Sequence, residues 1–285
     1  DYDGMTHKIF IVSGATDGIG RVTATELART GGEVILVGRD RAKAERVVAK
    51  IKRDSDNEQV SFEVADLSLQ SDLYALASRL NDRLEYLDVL GNNVGAWFQH
   101  RQLSADGIEM TFALNHLGYF LLTGLLLEKL RSAPAGRIVN VTSVAHRGRQ
   151  IDLDDPQGEI RYSGWSAYHA SKLASIHFTY RLAEMLDGGS VTVNCLHPGF
   201  VASKFAHNNG GWLKWLMIIV QQLAAISEAK GARTSVHLAT SKSVAGVSGK
   251  YFDKCEISKS SAESYDKETR DRLWRLSERL TGFTY

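Results

Sequence analysis

The stretch SAYHASK, residues 166–172, places Tyr168 and Lys172 four positions apart. On a helix, positions i and i+4 share a face, so the phenol and the ammonium would project side by side. Ala167, Ala170, Leu173, Ala174 and Ile176 have the spacing of one apolar helical face, which predicts a helix here. An ammonium beside a phenol stabilises the phenolate. The pKa of Tyr168 is therefore expected to fall, letting the side chain trade a proton near neutral pH. A Tyr and a Lys at this spacing also occur on many helices with no catalytic task, so the pair gains meaning only from the rest of the chain.

A second pattern with chemistry in it is SGATDGIGR, residues 13–21, where Gly14, Gly18 and Gly20 stand at G-x-x-x-G-x-G spacing. Glycine permits a tight turn and lets backbone N–H groups approach a pyrophosphate. The segment lies between a strand-like run and a helix-like run, and the positive N-terminal end of that helix would face the same phosphates. Together these point to a dinucleotide. The next strand-like run ends in VGRD, residues 37–40. NAD sites often place an acidic residue at that tip to hold the ribose hydroxyls. Here the tip is Gly38 followed by Arg39, whose fork of donors suits a 2′-phosphate, so NADP(H) is the expected cofactor. Arg21 is a candidate second contact. The alternative is that Arg39 and Asp40 are solvated loop charges.

The elements that must position these groups follow from patterning. Strand-like runs read KIFIVS (8–13), EVILVG (33–38), VSFEV (60–64), LDVLGNN (87–93), GRIVNVTS (136–143), VTVNCLH (191–197) and a short GKYF (249–252). Helical patterns read over 19–30, 41–53, 104–130 and around Tyr168. This alternation predicts a doubly wound, mostly parallel seven-stranded sheet with helices on both faces. Ligands are then expected at the carboxyl ends of the strands. Only three prolines occur, and no repeat or low-complexity linker divides residues 1–285, so a single α/β domain is expected.

Bulk properties narrow the partners. The chain has 285 residues and a formal net charge of +1 with no concentrated basic stripe, so nothing favours nucleic acid. Two cysteines, Cys195 and Cys255, suggest neither a disulfide framework nor a zinc site, and fit a reducing, cytoplasmic setting. No His spacing suggests a metal. The acidic run IDLDD (151–155) lacks calcium-loop spacing and reads as a solvated turn. DYDGMTHK is too polar for a signal peptide. The most apolar stretch, residues 212–226, is too short to span a bilayer and contains Lys214, Gln221 and Gln222; a peripheral membrane contact stays open.

With these pieces assembled, the chain resembles the short-chain dehydrogenase/reductase family over nearly all its length. The glycine turn, ADL (65–67), NNVG (92–95), NHLG (115–118), VNVTS (139–143), YHASK (168–172) and HPG (197–199) occur in that family's order. VILVGRD, NHLGYFLLTGLLL, AHRGRQIDLDD, SGKYFDKC and RLWRLSERLTG are similar to its retinol-dehydrogenase-like branch. Ser13 stands where the family has threonine, Val94 where it has alanine, and Gly91 precedes the Asn-Asn pair.

The resemblance implies a Rossmann fold and roles for particular residues. Tyr168 would be general acid in carbonyl reduction and general base in alcohol oxidation. Lys172 would tune it and hold the nicotinamide ribose, Ser143 would donate to the carbonyl oxygen, and Asn115 would hold a water linked to Lys172. Cofactor contacts would fall on Gly14, Thr16, Asp17, Gly18, Ile19, Gly20, Arg39, Asp66, Leu67, Asn93, Gly95, Tyr168, Lys172, Pro198, Gly199, Val201 and Ser203. Residues 201–226, rich in Trp, Leu and Ile, would cap a pocket for a hydrophobic carbonyl or alcohol. Leu122, Leu125, Leu126 and Leu127 would lie in the core or against a second copy in a homodimer or homotetramer. Competing readings are a catalytically silent dinucleotide-binding regulator, or a same-fold enzyme that epimerises or reduces a ring double bond.

Overall fold

The computed structural model describes Met5, residues 7–199 and residues 228–285. Eight strands are β1 (Ile9–Ser13), β2 (Glu33–Gly38), β3 (Val60–Val64), β4 (Val89–Asn92), β5 (Arg137–Val141), β6 (Thr192–His197), β7 (Tyr251–Asp253) and β8 (Glu256–Ser258). They form one sheet in the order β3–β2–β1–β4–β5–β6–β7–β8. Every neighbouring pair is parallel except β7 and β8. The chain order reverses between β1 and β4, which opens a crevice at their carboxyl ends. The doubly wound Rossmann class expected from the sequence holds. The eighth strand, EIS, was not read from the sequence because three residues carry too little alternation.

β1 and β2 bury their interior residues on both faces, as parallel strands covered by helices must. Helix α1 (Gly18–Ala28) starts at Asp17, whose extended backbone and carboxylate cap it. Helix α2 (Arg41–Ser55) starts at Asp40, whose carboxylate accepts from Lys43 N at 2.9 Å. Such a cap is worth about 1 kcal/mol, so Asp40 has a structural task. Helix α3 (Gln70–Arg83), which was not read from the sequence, buries Leu73, Leu76, Ala77 and Leu80 on one face.

Helix α4 (Met110–Ser132) begins six residues later than the expected 104–130. Leu103 and Glu109 close a small bridged loop, and the Glu109 carboxylate accepts from Thr111 N and Phe112 N at 3.0 and 2.8 Å. By length and composition α4 could cross a membrane, but its apolar side chains are spent on the core. Residues Ala113–Leu117 form a π-helical turn inside it. Helix α5 (Gly164–Met185) carries Tyr168 and Lys172, and α6 (Glu228–Thr240) packs on α1.

Helix α7 (Lys267–Thr281) lies across α4 and α5. Trp274 meets Phe120 edge to face at 5.0 Å and stacks on Phe178 at 6.0 Å. Leu122, Leu126 and Leu127 are buried in the chain's own core, with Leu125 packed against it. The side of α4 and α5 that Phe120 and Phe178 mark is thus covered from within the chain.

Candidate active site

The strand tips and the glycine turn enclose a cavity of about 490 Å³. Gly14, Thr16, Asp17, Gly18 and Ile19 line one end with Arg39, Asp66 and Leu67. Asn93, Gly95, Pro198 and Gly199 line the middle, and Ser143, Tyr168 and Lys172 the other end. Gly20 and Asn115 lie behind this lining. Val201, Ser203 and the capping segment 201–226 lie outside the described residues.

At the nucleotide end the shape is backbone. Gly14 and Gly18 adopt φ of +63° and +50°, a region that disfavours other residues. A Cβ on Gly20 would sit 2.3 Å from Gly14 O and 2.4 Å from Asn93 Nδ2. Ser13, in the place of threonine, keeps a hydroxyl function: its Oγ accepts from Asn93 N at 3.0 Å. Val94 fills space against Gly14, where a Cβ would meet its Cγ2 at 2.9 Å. At Gly91 a Cβ would meet nothing closer than 3.4 Å, so that glycine is not sterically required.

The charges at this end divide. Arg21 is tied to Glu228 at 2.8 Å, and Lys43 to Asp17 at 2.8 Å. Arg39 is exposed, lines the cavity, and has no ion-pair partner among the described residues. Of the two arginines weighed for a 2′-phosphate, Arg39 is the one available. The Asp66 carboxylate accepts from Ser68 N and Oγ at 3.0 and 2.7 Å, which fixes its orientation at the β3 tip. This end fits a dinucleotide: a turn that no Cβ can enter, a fixed carboxylate and an uncommitted guanidinium.

At the other end, Tyr168 and Lys172 share a face of α5, as their spacing predicts. The Lys172 side chain is buried, with its Nζ donating to Val141 O at 3.2 Å and lying 5.8 Å from the centre of the Tyr168 ring. A Cβ on Gly95 would touch that Nζ at 3.0 Å. The Ser143 hydroxyl hydrogen-bonds the Tyr168 phenol and also accepts from Ala145 N at 3.1 Å.

The expected fall in the pKa of Tyr168 is opposed by the fold. Burial pushes it up to about 12, and the Ser143 hydrogen bond only partly opposes this. The ammonium sits over the ring and is spent on Val141 O, so it lends the phenolate little. Burial likewise lowers Lys172 to about 8.

Asn115 lies in the π turn and is fully buried. Its Oδ1 accepts from Ala96 N and its Nδ2 donates to Ala96 O, both at 2.9 Å, and Nδ2 also reaches Ser171 Oγ at 3.0 Å. Its carbonyl accepts from Ser175 Oγ at 3.0 Å. These bonds clamp the π turn to α5 one helical turn from Lys172. Asn115 Oδ1 and Lys172 Nζ both lie within 4.0 Å of the point where a Gly95 Cβ would sit.

The histidines separate. His146 is fully buried: its Nδ1 is paired with Ser143 O at 2.5 Å, and its Nε2 accepts from Ser261 N at 3.1 Å. It braces the Ser143 loop and does not line the cavity. His197 lines the cavity, accepts from Val144 N at 3.2 Å through Nδ1, and is held neutral by burial, at about 4. In the IDLDD run, Asp152 and Asp155 accept from backbone N–H groups of their own turn.

Two features escaped the sequence reading. Tyr119 OH donates to Val94 O at 2.6 Å and reaches Val141 O at 3.3 Å, pinning the tips of β4 and β5. Phe98 and Trp165 line the catalytic end. Trp165 stands three residues before Tyr168, a helical spacing that was available as a signal.

Comparison with known proteins agrees with this geometry. Residues 8–214 match the family model described as short chain dehydrogenase. Human "Retinol dehydrogenase 13" is 39% identical over 96% of this chain and 85% of its own length. Mouse "Retinol dehydrogenase 12" is 38% identical over 98% and 87%. Among solved structures, an uncharacterized Mycobacterium paratuberculosis protein superposes with a TM-score of 0.78 at 30% identity, covering 98% of this chain and 94% of that one. A short chain dehydrogenase from Escherichia coli CFT073, complexed with NADPH, gives 0.70 at 25% identity, covering 90% and 100%.

Proposed function

The chain belongs to the short-chain dehydrogenase family, in its retinol-dehydrogenase-like branch, and on that premise we propose that it is an NADP(H)-dependent oxidoreductase interconverting a hydrophobic alcohol and its carbonyl compound. One observation carries this reading: a single cavity runs from a glycine cradle with an uncommitted Arg39 to a hydrogen-bonded Ser143–Tyr168 pair above a buried Lys172.

The cofactor would lie along the cavity, its pyrophosphate on the turn of Gly14, Gly18 and Gly20, its adenine beside Asp66 and Leu67, and its 2′-phosphate at Arg39. When bound it supplies or accepts the hydride. The chain's residues handle the proton. In reduction, the Tyr168 O–H gives its proton to the carbonyl oxygen as the hydride reaches the carbon, while the Ser143 O–H donates a hydrogen bond to that oxygen. The raised pKa of Tyr168 keeps the phenol protonated at physiological pH, which suits reduction. Oxidation needs the phenolate, and the charge of the oxidised cofactor, joined by that of Lys172 once it turns from Val141 O, would lower the pKa for that direction. Lys172 would restore the proton through a water held near Asn115 Oδ1.

The test is a screen of hydrophobic aldehydes, ketones and quinones for NADPH oxidation, with product identification. Carbonyl-dependent NADPH oxidation yielding the alcohol is expected. Tight NADPH binding with no turnover of any carbonyl or alcohol would instead support a silent regulator, and a product reduced in its ring or epimerised would move the enzyme to another reaction class.

A further inference from the structure

The catalytic end of the cavity carries an aromatic wall that proton transfer does not require. Trp97, just after β4, is 2% exposed, whereas Trp165, in the first turn of α5, is 43% exposed and lines the cavity. Their rings stack with centroids 4.7 Å apart and planes 26° apart. The buried indole thus fixes the orientation of the exposed one. Trp165 also meets the Tyr168 ring edge to face at 6.4 Å.

Among the described residues, Phe98, Val144 and Ala145 also line this end. Among the described residues, the charged side chains lining the cavity are Asp17, Arg39, Asp66 and Lys172. The first three belong to the nucleotide end, and Lys172 is turned onto Val141 O. Among the described residues, no cation at this end is placed to receive an anionic substrate.

We propose that Trp165 is the specificity-determining residue and that the substrates are neutral aryl carbonyl compounds, with a flat aromatic ring bonded directly to the carbonyl carbon, or the corresponding aryl carbinols. This rests on the oxidoreductase reading above and narrows its substrate. The reason is distance. Trp165 lines the cavity with its ring 6.4 Å from the Tyr168 ring, which brings the carbon of a carbonyl held by Tyr168 and Ser143 to the indole's side of the cavity. A ring attached at that carbon stacks on the indole, whereas a ring carried on a long chain passes beyond it. A saturated ring of the same size lacks the flat π face that offset stacking rewards.

The experiment compares benzaldehyde with cyclohexanecarboxaldehyde as substrates for NADPH-dependent reduction by the wild type, Trp165→Ala and Trp165→Phe. The ratio of kcat/KM for the two aldehydes, taken relative to wild type, cancels their different intrinsic reactivity. Trp165→Ala should lower that ratio on the order of tenfold, mainly through a higher KM for benzaldehyde, and Trp165→Phe should keep it within about twofold. In parallel, benzamide and cyclohexanecarboxamide are titrated calorimetrically into the NADPH-loaded protein. The wild type should bind benzamide more tightly, and Trp165→Ala should remove the difference. An equal ratio in all three proteins, with carbonyl reduction intact, overturns the aryl assignment and leaves the oxidoreductase reading standing. Selective benzamide binding without turnover of any carbonyl supports the aryl site and overturns the oxidoreductase reading.

Discussion

At the nucleotide end of the cavity the backbone makes the shape, through two left-handed glycines and a third, Gly20, with no room for a side chain. At the catalytic end buried side chains make it. Asn115, Ser171 and Ser175 lock the π turn to α5, and Tyr119 pins the tips of β4 and β5. The first construction fails when volume is added. The second fails when a hydrogen-bonding group is removed, because a buried partner left alone costs roughly 1–3 kcal/mol. A phosphate chain needs many N–H groups at close range, which only bare backbone offers. A reacting carbonyl needs one proton and one donor at fixed points, which side chains deliver.

The largest effect should come from the catalytic end. Tyr168→Phe removes one oxygen and keeps the ring, so kcat should fall on the order of 10²–10⁴ while NADPH binding, followed by cofactor fluorescence, stays close to wild type. Near-normal turnover would show that this end does not carry the proton. Adding volume at the nucleotide end gives the converse result. In Gly20→Ala the new methyl meets Gly14 O and the Asn93 side chain, and overpacking of this kind costs about 1–3 kcal/mol. Calorimetry should then show NADPH binding weakened by roughly tenfold to a hundredfold. Unchanged affinity would mean the turn relaxes and is not a rigid cradle.

Arg39→Ala separates charge from shape at the same end. NADPH should lose about tenfold to a hundredfold more affinity than NADH, because a charge-assisted hydrogen bond is worth ~1.5–3 kcal/mol. Equal losses for the two cofactors would assign discrimination elsewhere.

The pH profile sharpens the catalytic end. Since kcat/KM reports the free enzyme, reduction should be level while Lys172 is charged and fall as pH rises through about 8, where burial places its pKa. Tyr168, pushed up to about 12, keeps its proton across that window and adds no limb there. A profile that stays level well above pH 8 would detach the Lys172 charge from the reaction. The smallest effect belongs to Gly91→Ala, where a Cβ finds ordinary contact distances, and the unfolding free energy from denaturant titration should rise or stay within about 0.5–1 kcal/mol of wild type.

The parts legible in the sequence are those written in short spacings. The glycine turn, the Tyr168–Lys172 face and the strand–helix alternation each depend on residues within a few positions of one another, so local backbone geometry alone dictates them. Helix α3 carries a signal of the same kind in Leu73, Leu76 and Leu80, although no helix was read there from the sequence. The start of α4 was not legible, because Glu109 caps it only after the loop from Leu103 has closed.

The chain by itself thus determined which groups are present and which neighbours share a helix face or a turn. Tertiary structure decided what those groups are like. Whether Tyr168 gains or loses acidity is a contest between a nearby ammonium and desolvation, and only the fold shows that Lys172 points to Val141 O while burial prevails. Arg21 is withdrawn from the cofactor by Glu228, 207 positions along the chain, and His146 is fixed by Ser261, 115 positions away. Trp165 stacks on Trp97, 68 positions earlier in the chain. Charge, tautomer and side-chain aim are set by solvent exclusion and by partners brought together from distant segments, and neither quantity exists until the chain has folded.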